Sequence, residues 1–235
     1  MLIYGVNHFT FQDVLEIIEN PQWAKLNRQS KDQILKSYEN VQKIVKSDKT
    51  VYGINTGFGP LCETKISEEE TAKLQENLII SHSVGVGKPI AKELSKIMMV
   101  CKVHALSKGF SGISLDVVER LLLMIEKDII PVVPEQGSVG ASGDLAPLAH
   151  LVLPLLGLGK VWDGENIVET SIILEKHQLQ PLKLQAKEGL ALINGTQFIL
   201  AHAILGLDKF QYLLNLADLA AAFSIEAYQG SASPF

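Results

Sequence analysis

Apolar residues recur at three- and four-residue spacing over Ile34, Leu35, Tyr38, Val41, Ile44 and Val45, with Lys31, Lys36, Glu39 and Lys43 on the opposite face. That period predicts an amphipathic helix. A second helix is predicted to begin at Ser67-Glu68-Glu69-Glu70, where the S-x-x-E spacing sets up a capping box, and to run through Leu74, Leu78 and Ile79 to near Gly85. Further helices read from Ala91 to about Lys108, stopped by Gly109, and from Leu115 to about Lys127, stopped by the Ile130-Pro131 step. Strand signals are few. The strongest is Lys160 to Val168, a hairpin expected to turn on Asp163-Gly164, with weaker candidates at Thr50-Val51-Tyr52 and at the extreme N-terminus.

From Thr196 to about Gln229 there is no proline and a single glycine, Gly206, in a run rich in Ala, Leu and Phe. Its apolar residues cover most of the helix circumference, so burial all round is expected. The chain offers too little partner surface for that, which predicts a fragment, an oligomer, or both. The fold class expected is mainly α: a small α/β N-terminal region with a few short strands, leading into long buried helices of a helical-bundle core. Residues 1–195 form the first region and 196–235 the first long helix of a central bundle.

Composition sharpens this picture. The 235 residues are 47% hydrophobic and 20% charged, with mean hydropathy +0.19, on the apolar side for a protein without a membrane span. A net charge of −5 and the lack of any Lys/Arg-rich run give no footprint for a phosphate backbone, so nucleic acid is excluded as a partner. No stretch of 18 apolar residues and no basic, then apolar leader is present, so neither a membrane span nor a signal peptide is expected, and the location expected is the cytoplasm. Cys62 and Cys101 lie far apart without metal-ligand spacing and read as buried thiols, and no metal site is expected.

Three segments combine glycine with reactive side chains: Tyr52 to Gly59, Ser81 to Gly87, and Gly137 to Asp144. Gly85-Val86-Gly87-Lys88 imitates a phosphate loop, but Pro89 stands where Ser or Thr is needed and His82 where the first glycine belongs. Around Ser142 a nucleophile elbow would require glycine at 144, which is Asp. What the third segment encodes is backbone freedom at Gly137, Gly140 and Gly143. One use is a turn that caps the next helix, Asp144 to about Leu156, through Ser142 or Asp144. The other is self-modification: the Gly143 nitrogen attacks the Ala141 carbonyl carbon, a five-membered ring closes, and loss of water from the ring and from the Ser142 side chain leaves an exocyclic methylene. Each residue type is then required: a small residue, a hydroxyl to eliminate, an unhindered amide.

The run Ala141-Ser142-Gly143-Asp144-Leu145-Ala146-Pro147-Leu148-Ala149-His150 resembles the signature of the aromatic amino acid ammonia-lyases. Tyr52-Gly53-Ile54-Asn55-Thr56-Gly57-Phe58-Gly59 is similar to that family's tyrosine loop, and Gly189 to Gln197 to its asparagine motif. The resemblance implies a 4-methylideneimidazol-5-one group formed autocatalytically from Ala141, Ser142 and Gly143, with no external cofactor, and a homotetramer whose sites draw on several subunits. It covers essentially the whole chain but only the amino-terminal half of a family subunit, so this chain alone is expected to be inactive.

The resemblance also implies roles. Tyr52 matches the base that removes the β-proton; an unperturbed phenol titrates near 10, so cationic or hydrogen-bonding neighbours would have to favour phenolate. Asn194 would donate near the ring and the substrate carboxylate, although an Asn-Gly step before a helix also reads as a cap. Asp144 either polarises the ring-closing atoms or starts its helix. The pair Ser81-His82 resembles the Ser-His of the histidine-specific members, where phenylalanine enzymes carry Phe-Leu and tyrosine enzymes His-Leu, which implies L-histidine as substrate and urocanate as product. His8, His104, His150, His177 and His202 read as packing or helix-end residues. The rivals are a phenylalanine or tyrosine lyase or an aminomutase of the same chemistry, and a truncated, non-catalytic partner subunit.

Overall fold

The computed structural model describes residues 1–47, 51, 53–54, 68–231 and 233–234, the side chains of 68–71 excepted. Among them the chain runs β1 (Leu2–Ile3), α1 (Phe11–Glu19), β2 (Ala24–Lys25), α2 (Arg28–Val45) and α3 (Glu68–His82). It continues through β3 (Val86–Pro89), α4 (Lys92–Leu106), α5 (Leu115–Glu126), β4 (Ile130–Pro131), β5 (Pro134–Gln136) and α6 (Leu145–Val152). The last part is β6 (Lys160–Asp163), β7 (Asn166–Glu169), α7 (Thr170–Lys176), α8 (Glu188–Ile193) and α9 (Gln197–Ala227). The mainly helical class is as expected, and the strands make three small sheets ordered β1-β2, β3-β5 and β4-β6-β7.

Helix α4 is the centre of the core. Ile97, Met98, Met99, Val100 and Val103 are all at 0% exposure, because α1, α5, α6, β4 and the first turns of α9 pack around it. Two local devices fix the helices that brace it. At α1, the Thr10 hydroxyl accepts from the Asp13 amide and the Asp13 carboxylate accepts from the Thr10 amide. At α2, Asn27 and Ser30 make the same reciprocal exchange, so each helix start satisfies backbone donors that would otherwise be unpaired. Helix α1 was not among the helices expected from the sequence, because its nine residues are too few for a periodicity reading to find.

Helix α5 ends at Glu126, within a residue of the expected Lys127, but the stop is not the Ile130-Pro131 step: Asp128 adopts a left-handed conformation at φ 55° and the Ile129 amide reaches back to the Met124 carbonyl at 2.8 Å. Ile130-Pro131 instead forms β4, paired with Trp162 and Val161 of β6. The β6-β7 hairpin turns one residue later than Asp163-Gly164. Asp163 pairs with Asn166, leaving Gly164 and Glu165 as the two turn residues, with Gly164 supplying φ 64° at the first central position. Ser67, Thr50 and Tyr52 lie outside the described residues, so the α3 capping box and the central strand candidate do too.

The long helix α9 has 31 residues and spans about 46 Å at 1.5 Å per residue. Its start is built into the core, where Gln197, Ala201 and Ile204 are buried. Beyond Leu205 it leaves the core: Leu213 is 60% and Phe223 67% exposed. The all-round burial expected from the sequence is therefore not met among the described residues: even over the first two turns only one face is covered, with Ile199 and Leu200 at 52% and 44% exposure.

Candidate active site

Two segments meet at the start of α9, and a third is joined to them through α6. The first is the turn from Gly137 to Asp144, in which Gly140 has φ 73° and Gly143 φ 98°. The second is Asn194-Gly195, which links α8 to α9. The third is the end of α3 with its following loop.

The turn and the asparagine segment are bonded to each other. Gly143 and Gly195 form an isolated parallel bridge, and the Asp144 amide donates to the Gly195 carbonyl at 2.7 Å. A Cβ at Gly143 would lie 2.3 Å from that carbonyl oxygen, so only glycine permits the approach. Ala141 and Ser142 are exposed, beside the bridge. The residues fit a ring-forming turn: a glycine amide at 143 without a side chain in the way, a left-handed Gly140 that lets the chain double back, and an accessible hydroxyl at 142.

Asp144 is fully buried, and its side chain does not cap α6, the helix that follows it. One carboxylate oxygen accepts from the Ser138 hydroxyl at 2.6 Å. The other accepts from the Phe198 and Ile199 amides, both at 3.0 Å. Asp144 therefore caps α9, fifty residues on, where the helix dipole and two free amides favour an anion. The capping expectation named the right chemistry and the wrong helix, because the tertiary fold delivers the N-terminus of α9 to it.

Asn194 closes α8 rather than opening α9. Its amide nitrogen donates to the Leu190 carbonyl at 2.9 Å, and its side chain is exposed, so one amide hydrogen and the amide oxygen remain available. Its carbonyl accepts from Lys102 Nζ at 2.7 Å. Lys102, 2% exposed on α4, was not singled out in the sequence. The signal was there: a single lysine inside the apolar run Ile97 to Val103. Burial pushes its pKa down to about 7.

The third segment is tied in through α6. His82 is half-buried at the end of α3, with Nδ1 2.8 Å from the Leu78 carbonyl and 3.3 Å from the Ser81 hydroxyl. A carbonyl only accepts, so Nδ1 carries the proton, and Nε2 of the neutral ring is an acceptor. Ser81 also donates to the Leu78 carbonyl. Three residues later the Gly85 amide donates to His150 Nε2 at 3.0 Å. His150 lies on α6, which begins directly after the turn, so its side chain connects the His82 loop to the helix carrying Asp144; burial pushes its pKa down. Tyr52 lies outside the described residues; its neighbour Ile54 is buried.

The Cys101 thiol is buried and pushed up to about 12 by desolvation, and Cys62 lies outside the described residues. Gly85-Val86-Gly87-Lys88, the false phosphate loop, lies along β3, paired with β5. No cluster of three or more His, Cys, Asp or Glu able to hold a metal occurs among the described residues. No helix among them is long and apolar enough to cross a membrane.

The family model for aromatic amino acid lyases matches residues 9–235. This chain belongs to the aromatic amino acid lyase family. Within that lyase family it is 42% identical over 228 residues to the histidine ammonia-lyase of Streptococcus sanguinis strain SK36, covering 97% of this chain and 44% of that protein. Among solved structures, the histidine ammonia-lyase of Trypanosoma cruzi superposes with a TM-score of 0.91 at 36% identity, over 99% of this chain and 45% of that one. The tyrosine aminomutase of Streptomyces globisporus superposes with a TM-score of 0.92 at 32% identity, over 99% and 44%. The chain thus spans under half the length of the lyases it matches.

Proposed function

We propose that this chain carries the tyrosine loop, the prosthetic-group turn and the asparagine segment of a histidine ammonia-lyase, which eliminates ammonia from L-histidine to give urocanate. The observation that carries the reading is the Gly143–Gly195 bridge, which joins the Ala141-Ser142-Gly143 turn to Asn194. Supporting it are the Ser81-His82 pair and the 42% identity to histidine ammonia-lyases over nearly all of this chain. The whole protein is read as a cytoplasmic homotetramer, with residues 1–195 as one region and 196–235 as the first helix of the central bundle.

The group formed by Ala141, Ser142 and Gly143 supplies an electrophilic methylene that turns a poor amine leaving group into a good one. The chain's own residues do the rest. Tyr52 takes the β-proton, which requires its phenol to be held well below its ordinary range. The free amide hydrogen of Asn194 donates to the substrate carboxylate. Nε2 of His82 accepts the N–H of the substrate imidazole, and a pocket built around that bond rejects side chains that cannot make it. Asp144 serves the site by fixing the start of α9 against the turn. The tyrosine aminomutase likeness supports a second reading, the same chemistry on tyrosine, in which His82 meets a phenol instead.

The test uses the whole protein. Intact mass is expected to be about 36 Da, two waters, below the encoded value. Turnover of L-histidine is expected to exceed that of L-phenylalanine and L-tyrosine by roughly 10⁴-fold or more. Tyr52→Phe should keep the mass loss and lower kcat by at least roughly 10²-fold. An active protein of unmodified mass, or equal turnover of all three amino acids, overturns the reading.

A further inference from the structure

We propose that Lys102 is a positioning residue of this site, whose ammonium fixes the Asn194 carbonyl and thereby the segment against which the Ala141-Ser142-Gly143 turn closes. The inference rests on the ring-forming reading of that turn.

Lys102 lies in the middle of the core helix α4, at 2% exposure, and no carboxylate pairs with it among the described residues. A methionine would fill the same volume without the cost of taking an ammonium out of water. What the ammonium does there is donate to a single carbonyl, that of Asn194, at 2.7 Å. The next carbonyl along the chain, Gly195, receives the Asp144 amide at the same distance and sits where a Cβ of residue 143 would be. Shifting the Asn194-Gly195 peptide therefore shifts Gly143, whose nitrogen is the ring-closing nucleophile.

Charge supports the same arrangement. Asn194-Gly195 runs between a buried cation, Lys102, and a buried anion, Asp144, which is held by Ser138 and by the Phe198 and Ile199 amides. The cation meets a carbonyl at the C-terminal end of α8 and the anion meets amides at the N-terminal end of α9, so each charge faces the backbone groups that favour it. The segment is gripped from both sides. His82, by contrast, is oriented by Leu78 and Ser81 on its own helix, so substrate-imidazole recognition is independent of Lys102.

The experiment compares the whole protein with its Lys102→Met and Lys102→Gln variants, reading intact mass, near-ultraviolet absorbance of the ring, and kcat and KM for L-histidine. For Lys102→Met, the fraction of chains about 36 Da light is expected to fall severalfold. Turnover per cyclised chain should drop roughly ten- to a hundredfold, as for small misplacements of catalytic groups, with a smaller rise in KM because Asn194 also meets the substrate carboxylate. Lys102→Gln keeps an N–H donor one atom short and should be intermediate in both. A Lys102→Met protein that cyclises fully with wild-type kcat, or loses efficiency through KM alone, overturns the proposal. If the methionine variant does not fold, the glutamine variant decides: reduced cyclisation at an unchanged melting temperature supports the role, and full cyclisation overturns it. Loss of folding in both variants also overturns it, since a purely structural lysine would do that. A wild-type protein without the mass loss would sink the ring reading itself, a separate outcome from a cyclised wild type that Lys102→Met leaves unaffected.

Discussion

Helices α4 and α9 have apolar residues around most of their circumference, and they meet opposite fates in this chain. Over Ile97 to Val103, α4 is enclosed on every side by other elements, whereas α9 beyond Leu205 carries Phe210, Leu213 and Phe223 into solvent at 59%, 60% and 67% exposure. An all-round apolar helix requires all-round burial, but the requirement is silent about which chain supplies the cover. For α4 the cover is local. For α9 the described residues supply none beyond Leu205, and an exposed apolar surface of this length is a mark of an interface.

The largest effects should separate the two helices outright. Val100→Asp puts an unpaired carboxylate at the centre of α4, a cost of several kcal/mol against a total stability of about 5 to 15, and circular dichroism should find the chain unfolded. Leu213→Asp should leave the helicity and melting of residues 1–195 nearly unchanged while dissociating the whole protein and abolishing turnover. Sedimentation and turnover unchanged with Asp at 213 would overturn the assembly role proposed for α9.

Milder truncations sharpen the contrast. Leu121→Ala, in α5 against α4, is expected to cost about 2 to 5 kcal/mol in denaturant unfolding. Leu213→Ala should cost this chain on its own less than about 0.5 kcal/mol, and the same variant should cost the assembled protein several times more. Equal costs in the isolated chain would mean that α9 folds back onto the core in solution.

At the start of α9, Asp144→Ala is expected to cost about 1 to 3 kcal/mol, by leaving the Ser138 hydroxyl and the Phe198 and Ile199 amides without their charged acceptor. Amide exchange should localise the loss to the first turn of α9. A uniform loss across α4 would contradict the capping role.

A small effect, set by pH, concerns the far end of α4. The His104 ring is half-buried 4.1 Å from Phe9, its Nδ1 accepts from the Gly5 amide at 3.4 Å, and burial first, then the charges of Lys108 and His8, push its pKa down from 6.5 to about 4. The unfolded chain takes up this proton near 6.5 and the folded chain only near 4. The contribution to stability is therefore complete above pH 6.5 and is lost as pH falls through that window. After discounting for solvent screening it is about 1 kcal/mol, measurable as a drop in Tm between pH 7 and pH 4.5 that is smaller in His104→Leu.

Helix existence and type were legible over Ile34 to Val45, because side chains at 3.6-residue spacing report the face they share whatever they pack against, and over Thr196 to Gln229, because a long apolar run without proline and with a single glycine has no other regular form to take. Ends were less legible. Asp128 stops α5 through a left-handed backbone that aspartate tolerates better than most residues but signals far less strongly than glycine, and the short strands β2, β3 and β5 exist only because partners lie beside them. The reactive segments were also readable, since a turn with glycine at 140 and 143 around Ala-Ser announces its backbone freedom in the sequence.

What the sequence alone determined, then, is local: the periods, the caps written within four residues, and the residue types that the ring chemistry needs. Tertiary structure decided the rest. Only the fold brings Gly195 onto Gly143, gives Asp144 the helix fifty residues away instead of its own, and seats Lys102 behind Asn194. These are pairings across as many as 92 residues between groups whose partners are backbone amides and carbonyls, which every residue possesses, so no side-chain pattern singles them out.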